Sequence, residues 1–267
     1  MAIPYYHVDA FTDELFAGNP AGVCILSAFL ADSIMQKIAA ENRHSETAFV
    51  VPRADGDFDL RWFTPVVEDD LCGHATLASA YVLALRKHNV WPVRFHTRSG
   101  MLTVAQDKDK DSFAMDFPAM PPQPCETPVG LLPALGLKAA LVMKSRDYLV
   151  VVDQAEQVRE LSPDIAALAK LDAGMGTIVT APGEGGVDYV CRMFLPSAGI
   201  DEDPATGSIH CTLAPYWAGR LGKDKEKDTF RAQQLSARGG SVQCTIRGDR
   251  VQIVGRARLY LHGTLEL

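Results

Sequence analysis

Three short segments carry the side chains best suited to chemistry. Glu46 stands in Ser45-Glu46-Thr47-Ala48-Phe49, at the entrance of a strand-like run. Cys72 and His74 flank a glycine in Leu71-Cys72-Gly73-His74-Ala75-Thr76, and Asp203 opens Asp203-Pro204-Ala205-Thr206-Gly207-Ser208. A carboxylate such as Glu46 can take up and return a proton when its surroundings move its pKa towards the working pH. The bland alternative is a solvated residue at a strand end. A histidine at a helix N-terminus tends to be neutral and can donate to a substrate or accept from it. Asp203 fits an N-cap with Pro204 in the first helical position, and the cap alone accounts for it. Ser208 reads equally well as a polar residue of the first turn. Cys72 could act as a nucleophile or base at a helix start, although a small apolar filler is the preferred reading. No metal site is expected, because Cys72/His74 and His210/Cys211 are too close in sequence for ordinary ligand spacing and no third ligand is evident. Serine-hydrolase elbows and nucleotide-binding glycine loops are missing; Gly174-x-Gly176 is too short a fragment to count.

Two of these segments belong to an internal repeat. Phe63-Thr64-Pro65, the acids Glu68-Asp69-Asp70 and the run Cys72 to Leu77 are echoed by Phe194-Leu195-Pro196, Asp201-Glu202-Asp203 and Pro204 to Ser208. Phe63 to Phe194 is an offset of 131, and Thr76 to Thr206 an offset of 130. Each copy reads as a strand ending in Phe-x-Pro, an acidic turn, and small residues opening a helix. Helix starts leave N–H groups unpaired at the positive end of the dipole and so suit anions. Two of them facing across a cleft would hold one small acidic molecule, and the pairing marks a duplicated fold. On the same offset Thr47 meets Thr177 and Glu46 meets Gly176, so one copy alone supplies a carboxylate. Beside a buried apolar helix the charged form of Glu46 would be poorly solvated, which raises a carboxylate pKa.

The elements that must position these groups follow from periodicity. Strands are expected over 4–10, 21–26, 45–51 and 58–63, with a helix over 30–41 and a hairpin turn at Asp55-Gly56-Asp57. The helix over 71–87 is apolar nearly all round and should be buried, with strands wrapped about it. Strands over 93–96, 101–105 and 112–117 complete the first half. Pro118 to Pro124 holds four prolines in seven residues and is the best linker candidate. In the second half, strands are expected over 148–152, 177–180, 189–194, 242–246, 251–254 and 258–261, short helices over 155–161 and 164–171, and a buried helix over 207–221. The fold class is therefore α+β, with domains at 1–118 and 119–267 and the last strand free to cross back to the first.

Composition narrows the functional classes. A net charge of −7 and a pI near 5.5 argue against nucleic-acid binding. The run Lys223 to Asp228 alternates in sign and reads as a solvated turn. No signal peptide, no span of about 20 apolar residues and no Cys-x-x-Cys pair is present among six scattered cysteines. The expectation is a soluble cytoplasmic protein with reduced thiols.

Taken together the motifs resemble the phenazine-biosynthesis PhzF-like isomerases, within the diaminopimelate-epimerase superfamily. The matching segments are Asp9-Ala10-Phe11-Thr12 with Phe16-x-Gly18-Asn19-Pro20-Ala21, Ser45 to Phe49, Arg61 to Pro65, and Leu71 to Ala78. Arg192-x-Phe194-x-Pro196, Glu202 to Ser208 and Arg238-Gly239-Gly240 continue them. The resemblance implies two pseudo-symmetric domains, each a rolled, mostly antiparallel sheet around a central helix, with the ligand between them. It implies a homodimer that works without cofactor on a small acidic metabolite. Glu46, His74 and Asp203 would be the catalytic group, with Asn19, Gly73, Gly207 and Ser208 binding the substrate. Two alternatives stay open: a racemase or epimerase using Cys72, for which a second facing thiol is missing, and a binding protein without chemistry.

Overall fold

The computed structural model describes residues 1–107, 112–171, 176–222 and 229–267; the charge run 223–228 and Gly174 lie outside them. Two compact units form, one from Met1–Phe117 with Ile253–Leu267, the other from Pro118–Gln252. The first contains β1 (Ala2–Ala10), β2 (Asn19–Ile25), α1 (Asp32–Asn42), β3 (Glu46–Pro52), β4 (Phe58–Phe63), β5 (Glu68–Asp69), α2 (Gly73–Leu85), β6 (Val93–Thr97), β7 (Gly100–Gln106) and β8 (Ser112–Pro118). The second contains β9 (Gln123–Pro124), α3 (Leu131–Ala134), β10 (Leu141–Lys144), β11 (Tyr148–Val151), α4 (Ala155–Arg159), α5 (Ile165–Leu168), β12 (Thr177–Pro182), β13 (Tyr189–Leu195), β14 (Ile200–Asp203), α6 (His210–Leu221), β15 (Phe230–Gln234) and β16 (Gly240–Arg247). A last strand, β17 (Arg250–Glu266), runs on from the second unit into the first.

Both units follow one plan. In the first, β2 is parallel to β3, β3 antiparallel to β4, and β4 is antiparallel to β5 and parallel to β6, which returns antiparallel as β7. In the second, β11, β12, β13, β14, β15 and β16 repeat those relations in the same order. Register makes the match residue by residue. Thr47 pairs with Phe63 as Thr177 pairs with Phe194, which sets Glu46 against Gly176. A Cβ on Gly176 would lie 2.1 Å from the Met193 Cε and 3.0 Å from the Asp147 carboxylate. A side chain there would have to displace the end of Met193 and meet the Asp147 carboxylate, which already accepts from the Gly176 N–H at 2.9 Å.

The repeat extends to side chains. Arg61 grips Glu68 through Nε and Nη2, both at 2.6 Å, with its guanidinium 5.2 Å above the Phe63 ring. Arg192 grips Glu202 at 2.7 and 2.8 Å, with its guanidinium 5.0 Å above Phe194. Two-pronged Arg–carboxylate pairs fix geometry better than single contacts do, so each acidic turn is fastened to the strand before it. Asp69 then pairs with Trp62 as Asp203 pairs with Met193.

This register corrects the alignment of the repeat and the place of the second helix. Asp203 corresponds to Asp69, because the second turn is three residues longer and holds a 3-10 turn at Pro196–Ala198. Asp203 also does not cap a helix: α6 starts at His210, and Gly207 and Ser208 lie in the turn before it, their carbonyls accepting from His210 and Cys211. Thr76 and Thr206 are therefore not equivalent, and Cys211 lies in the first turn of α6.

The first unit's core forms around α2, ten of whose thirteen residues are buried as its apolar sequence requires. At Gly255 the backbone of β17 approaches so closely that a Cβ would lie 2.5 Å from the Phe11 ring and 3.0 Å from Leu77 of α2. A second cluster packs Met35 and Ile38 of α1 on Phe49 and Phe63, whose rings meet edge to face at 5.5 Å. Each large apolar side chain buried in this way contributes about 1.5–3 kcal/mol. Periodicity splits β17 in two, whereas it is a single strand of 17 residues paired with β1, its irregularity confined to Tyr260, which is skipped between His7 and Val8.

The proline-rich stretch is fastened to the second unit. Ala119 donates to the Asp249 carbonyl and Met120 to that of Cys211. Pro215, inside α6, has no N–H to offer Cys211 four residues back, so the linker fills that vacancy.

Candidate active site

Arg43 ends α1 in a left-handed conformation (φ 55°) and turns the chain into β3, making Glu46 that strand's first residue. The parallel pairing of β3 with β2 sets Glu46 beside Ala21, two residues beyond Asn19. The start of α2 brings His74 to the same place. His74 Nε2 lies 3.2 Å from Glu46 Oε2, and both side chains are almost wholly buried (3% and 7% exposed). No well-aligned hydrogen bond forms across that gap. Such contacts are often loose before substrate binds.

On its other side, the His74 ring receives Asn19. The Asn19 amide Nδ2 lies 3.1 Å from His74 Nδ1, and the Ser45 hydroxyl donates to Asn19 Oδ1 at 3.3 Å. Cys72 Sγ is 3.5 Å from the same Nδ1. Burial, and secondarily the neighbouring His44, push the His74 pKa down to about 3, so the ring is neutral. The Glu46 and Cys72 ligand atoms approach different nitrogens of one imidazole. Ligand atoms, one each from Glu46, Cys72 and His74, lie within 4.8 Å of one another, so Glu46 supplies the third donor that the spacing of Cys72 and His74 alone does not show.

Cys72 is the N-cap of α2, yet no side chain caps this helix and its first turn carries no acid. A buried helix start lacking both is suited to an external anion. None of the six cysteines is in a disulfide.

In the second unit the segment carrying Asp203 is closed by a residue that sequence reasoning missed. The Thr206 hydroxyl donates to Asp203 Oδ2, and the Gln234 amide donates to the Asp203 carbonyl and accepts from the Thr206 N–H at 2.8 Å. Gln234 is buried at an inward position of β15, where its neighbours in the alternation are Phe230 and Ala232. A glutamine on the apolar face of an alternating strand is the signal that could have revealed it. Ser236 Oγ adds a bond to the Pro204 carbonyl.

Comparison with known proteins agrees with this architecture. The phenazine biosynthesis-like protein family (PhzC-PhzF) matches residues 8–263. An uncharacterised isomerase of Pseudomonas aeruginosa is 54% identical, with all of both chains covered. The crystal structure of a phenazine biosynthesis protein, PhzF family, from Enterococcus faecalis superposes with a TM-score of 0.93 at 42% identity, again over all of both chains. A hydroxyproline epimerase from Agrobacterium vitis shares the fold alone, with a TM-score of 0.65 at 13% identity over 100% of this chain and 93% of that one. Among the described residues no helix is long and apolar enough to cross a membrane. On the strength of this full-length agreement, the chain belongs to the phenazine biosynthesis-like protein family.

Proposed function

We propose that this isomerase moves a proton within a small carboxylate-bearing substrate, with Glu46 as general acid and base and no cofactor. The observation that carries the proposal is a buried carboxylate beside a neutral imidazole, at a helix start with no side-chain cap. Glu46 would take a proton from one carbon, leave the electron pair in the conjugated substrate, and return the proton to another carbon. Backbone N–H groups at Gly73 and beyond would hold the substrate's anionic group. Asp203, Gly207 and Ser208 are candidates for substrate binding in the second unit on the strength of the family motif.

Small carboxylates should stabilise the protein against heat, while the matching neutral amides should not. A ligand at 100 times its Kd adds about 2.7 kcal/mol. Equal stabilisation by acids and amides would count against anion binding at the α2 start.

A thiol racemase is the competing reading, and Cys72 separates the two. Cys72→Ser is expected to retain turnover within a few-fold, because the serine hydroxyl can still donate to His74. Turnover falling by several orders of magnitude would put the thiol mechanism first.

A further inference from the structure

We propose that Asn19 and Ser45 are positioning residues that hold His74 as the Nε2–H tautomer, its proton on the nitrogen nearer Glu46, so that the migrating proton never passes through the imidazole. The proposal deepens the acid/base reading of Glu46 and rests on it for its catalytic meaning; the state of the ring can be read independently.

The neutral His74 ring has one N–H to place between two nitrogens. Nε2 faces the Glu46 carboxylate at 3.2 Å. Against an ionised Glu46, the form that a proton acceptor needs, a lone pair there would oppose the carboxylate oxygen whereas an N–H is attracted to it, so the proton belongs on Nε2. Nδ1 is left as an acceptor, and what surrounds it suits an acceptor: the Asn19 amide at 3.1 Å and the Cys72 thiol at 3.5 Å. An asparagine amide has one donor end and one acceptor end, and its orientation is assigned from its neighbours. Here the NH2 end faces the ring, an orientation the Ser45 hydroxyl accommodates by donating to Oδ1 at 3.3 Å. Asn19 is wholly buried, so no solvent competes for the arrangement.

The consequence concerns the route of the proton. To relay it, a neutral imidazole must accept at one nitrogen and release from the other. With Nδ1 occupied by donors and Nε2 already protonated, His74 can only donate. Glu46 therefore receives the substrate proton as its own carboxylic acid and returns it from the same group, while His74 keeps its single hydrogen and steadies Oε2. Asn19, placed by the family motif among the substrate-binding residues, acts in this account through His74.

The test is a two-bond proton–nitrogen correlation of the imidazole rings in the whole protein at pH 7, labelled with 15N-histidine. Loss of one of the seven histidine patterns in His74→Gln assigns the ring. The expected wild-type pattern is a neutral ring protonated on Nε2, and it should persist in Cys72→Ser. Asn19→Asp replaces the donor with a carboxylate and should move the proton to Nδ1, with turnover of a stabilising carboxylate falling by up to about 10⁴-fold, the scale on which a misplaced tautomer acts in a serine protease triad. A wild-type ring protonated on Nδ1, or doubly protonated, would overturn the proposal even if Asn19→Asp failed to fold. An unchanged ring pattern in a folded Asn19→Asp would overturn it as well. Full turnover in Glu46→Gln would instead sink the acid/base reading and leave the tautomer result standing.

Discussion

Glu46→Gln is expected to cut turnover by about 100-fold or more, the usual scale for a general acid/base, while leaving the fold and substrate binding nearly intact. Glutamine has the size of glutamate and can still accept from His74 Nε2, 3.2 Å away in the wild type. It cannot exchange a proton. At the matching register position of the repeat stands Gly176, which has no carboxylate of its own. His74→Ala and Asp203→Ala should behave differently, weakening binding and turnover together, since these groups position rather than transfer. Steady-state kinetics on a stabilising carboxylate separates the cases: a kcat effect with KM preserved for Glu46→Gln, both parameters moved for the other two.

Acid should unfold the protein through its buried histidines. Burial pushes both His74 and His210 down to about 3. In the unfolded chain each binds a proton near pH 6.5. Below that pH the unfolded state therefore holds up to two protons more than the folded one, and stability falls as pH falls, until the folded rings also titrate near pH 3. Each histidine contributes a slope of about 1.4 kcal/mol per pH unit within that window, or roughly 2.7 for the pair. Urea unfolding between pH 7 and pH 4 reads this directly. His210→Gln, which can still accept from the Tyr189 hydroxyl that contacts His210 Nδ1 at 2.9 Å, should remove about half of the slope. Stability that stays flat from pH 7 to pH 4 would mean that these rings are not buried neutral.

Local pattern carried much of the fold. The all-round apolar run from Leu71 marks a buried helix, and strand runs joined by Asp55-Gly56-Asp57 mark β3 and β4, because burial and turn chemistry are written in neighbouring residues. The repeat is visible for the same reason, since Arg61 and Phe63 keep the spacing of Arg192 and Phe194. What lay beyond the sequence is pairing at a distance. Three extra residues in the turn after Phe194 shift Asp203 onto the position of Asp69, and only the strand register reveals it. The long β17 hides behind Gly255, a residue that punctuates a sequence but here permits close packing on α2. At the site, Glu46 and His74 are legible as residue types. Their 3.2 Å approach, Asn19 behind the imidazole and Gln234 behind Asp203 depend on contacts 28 to 55 residues apart in the chain.

Proton movement by Glu46 is tested most directly in deuterated water, with a carboxylate that stabilises the protein. Wild-type protein is expected to convert that compound or to exchange one of its carbon-bound hydrogens for deuterium, read by mass spectrometry. Glu46→Gln should do neither within the same time, although the same compound still raises its Tm. Exchange or conversion by Glu46→Gln within a few-fold of the wild-type rate would contradict the account.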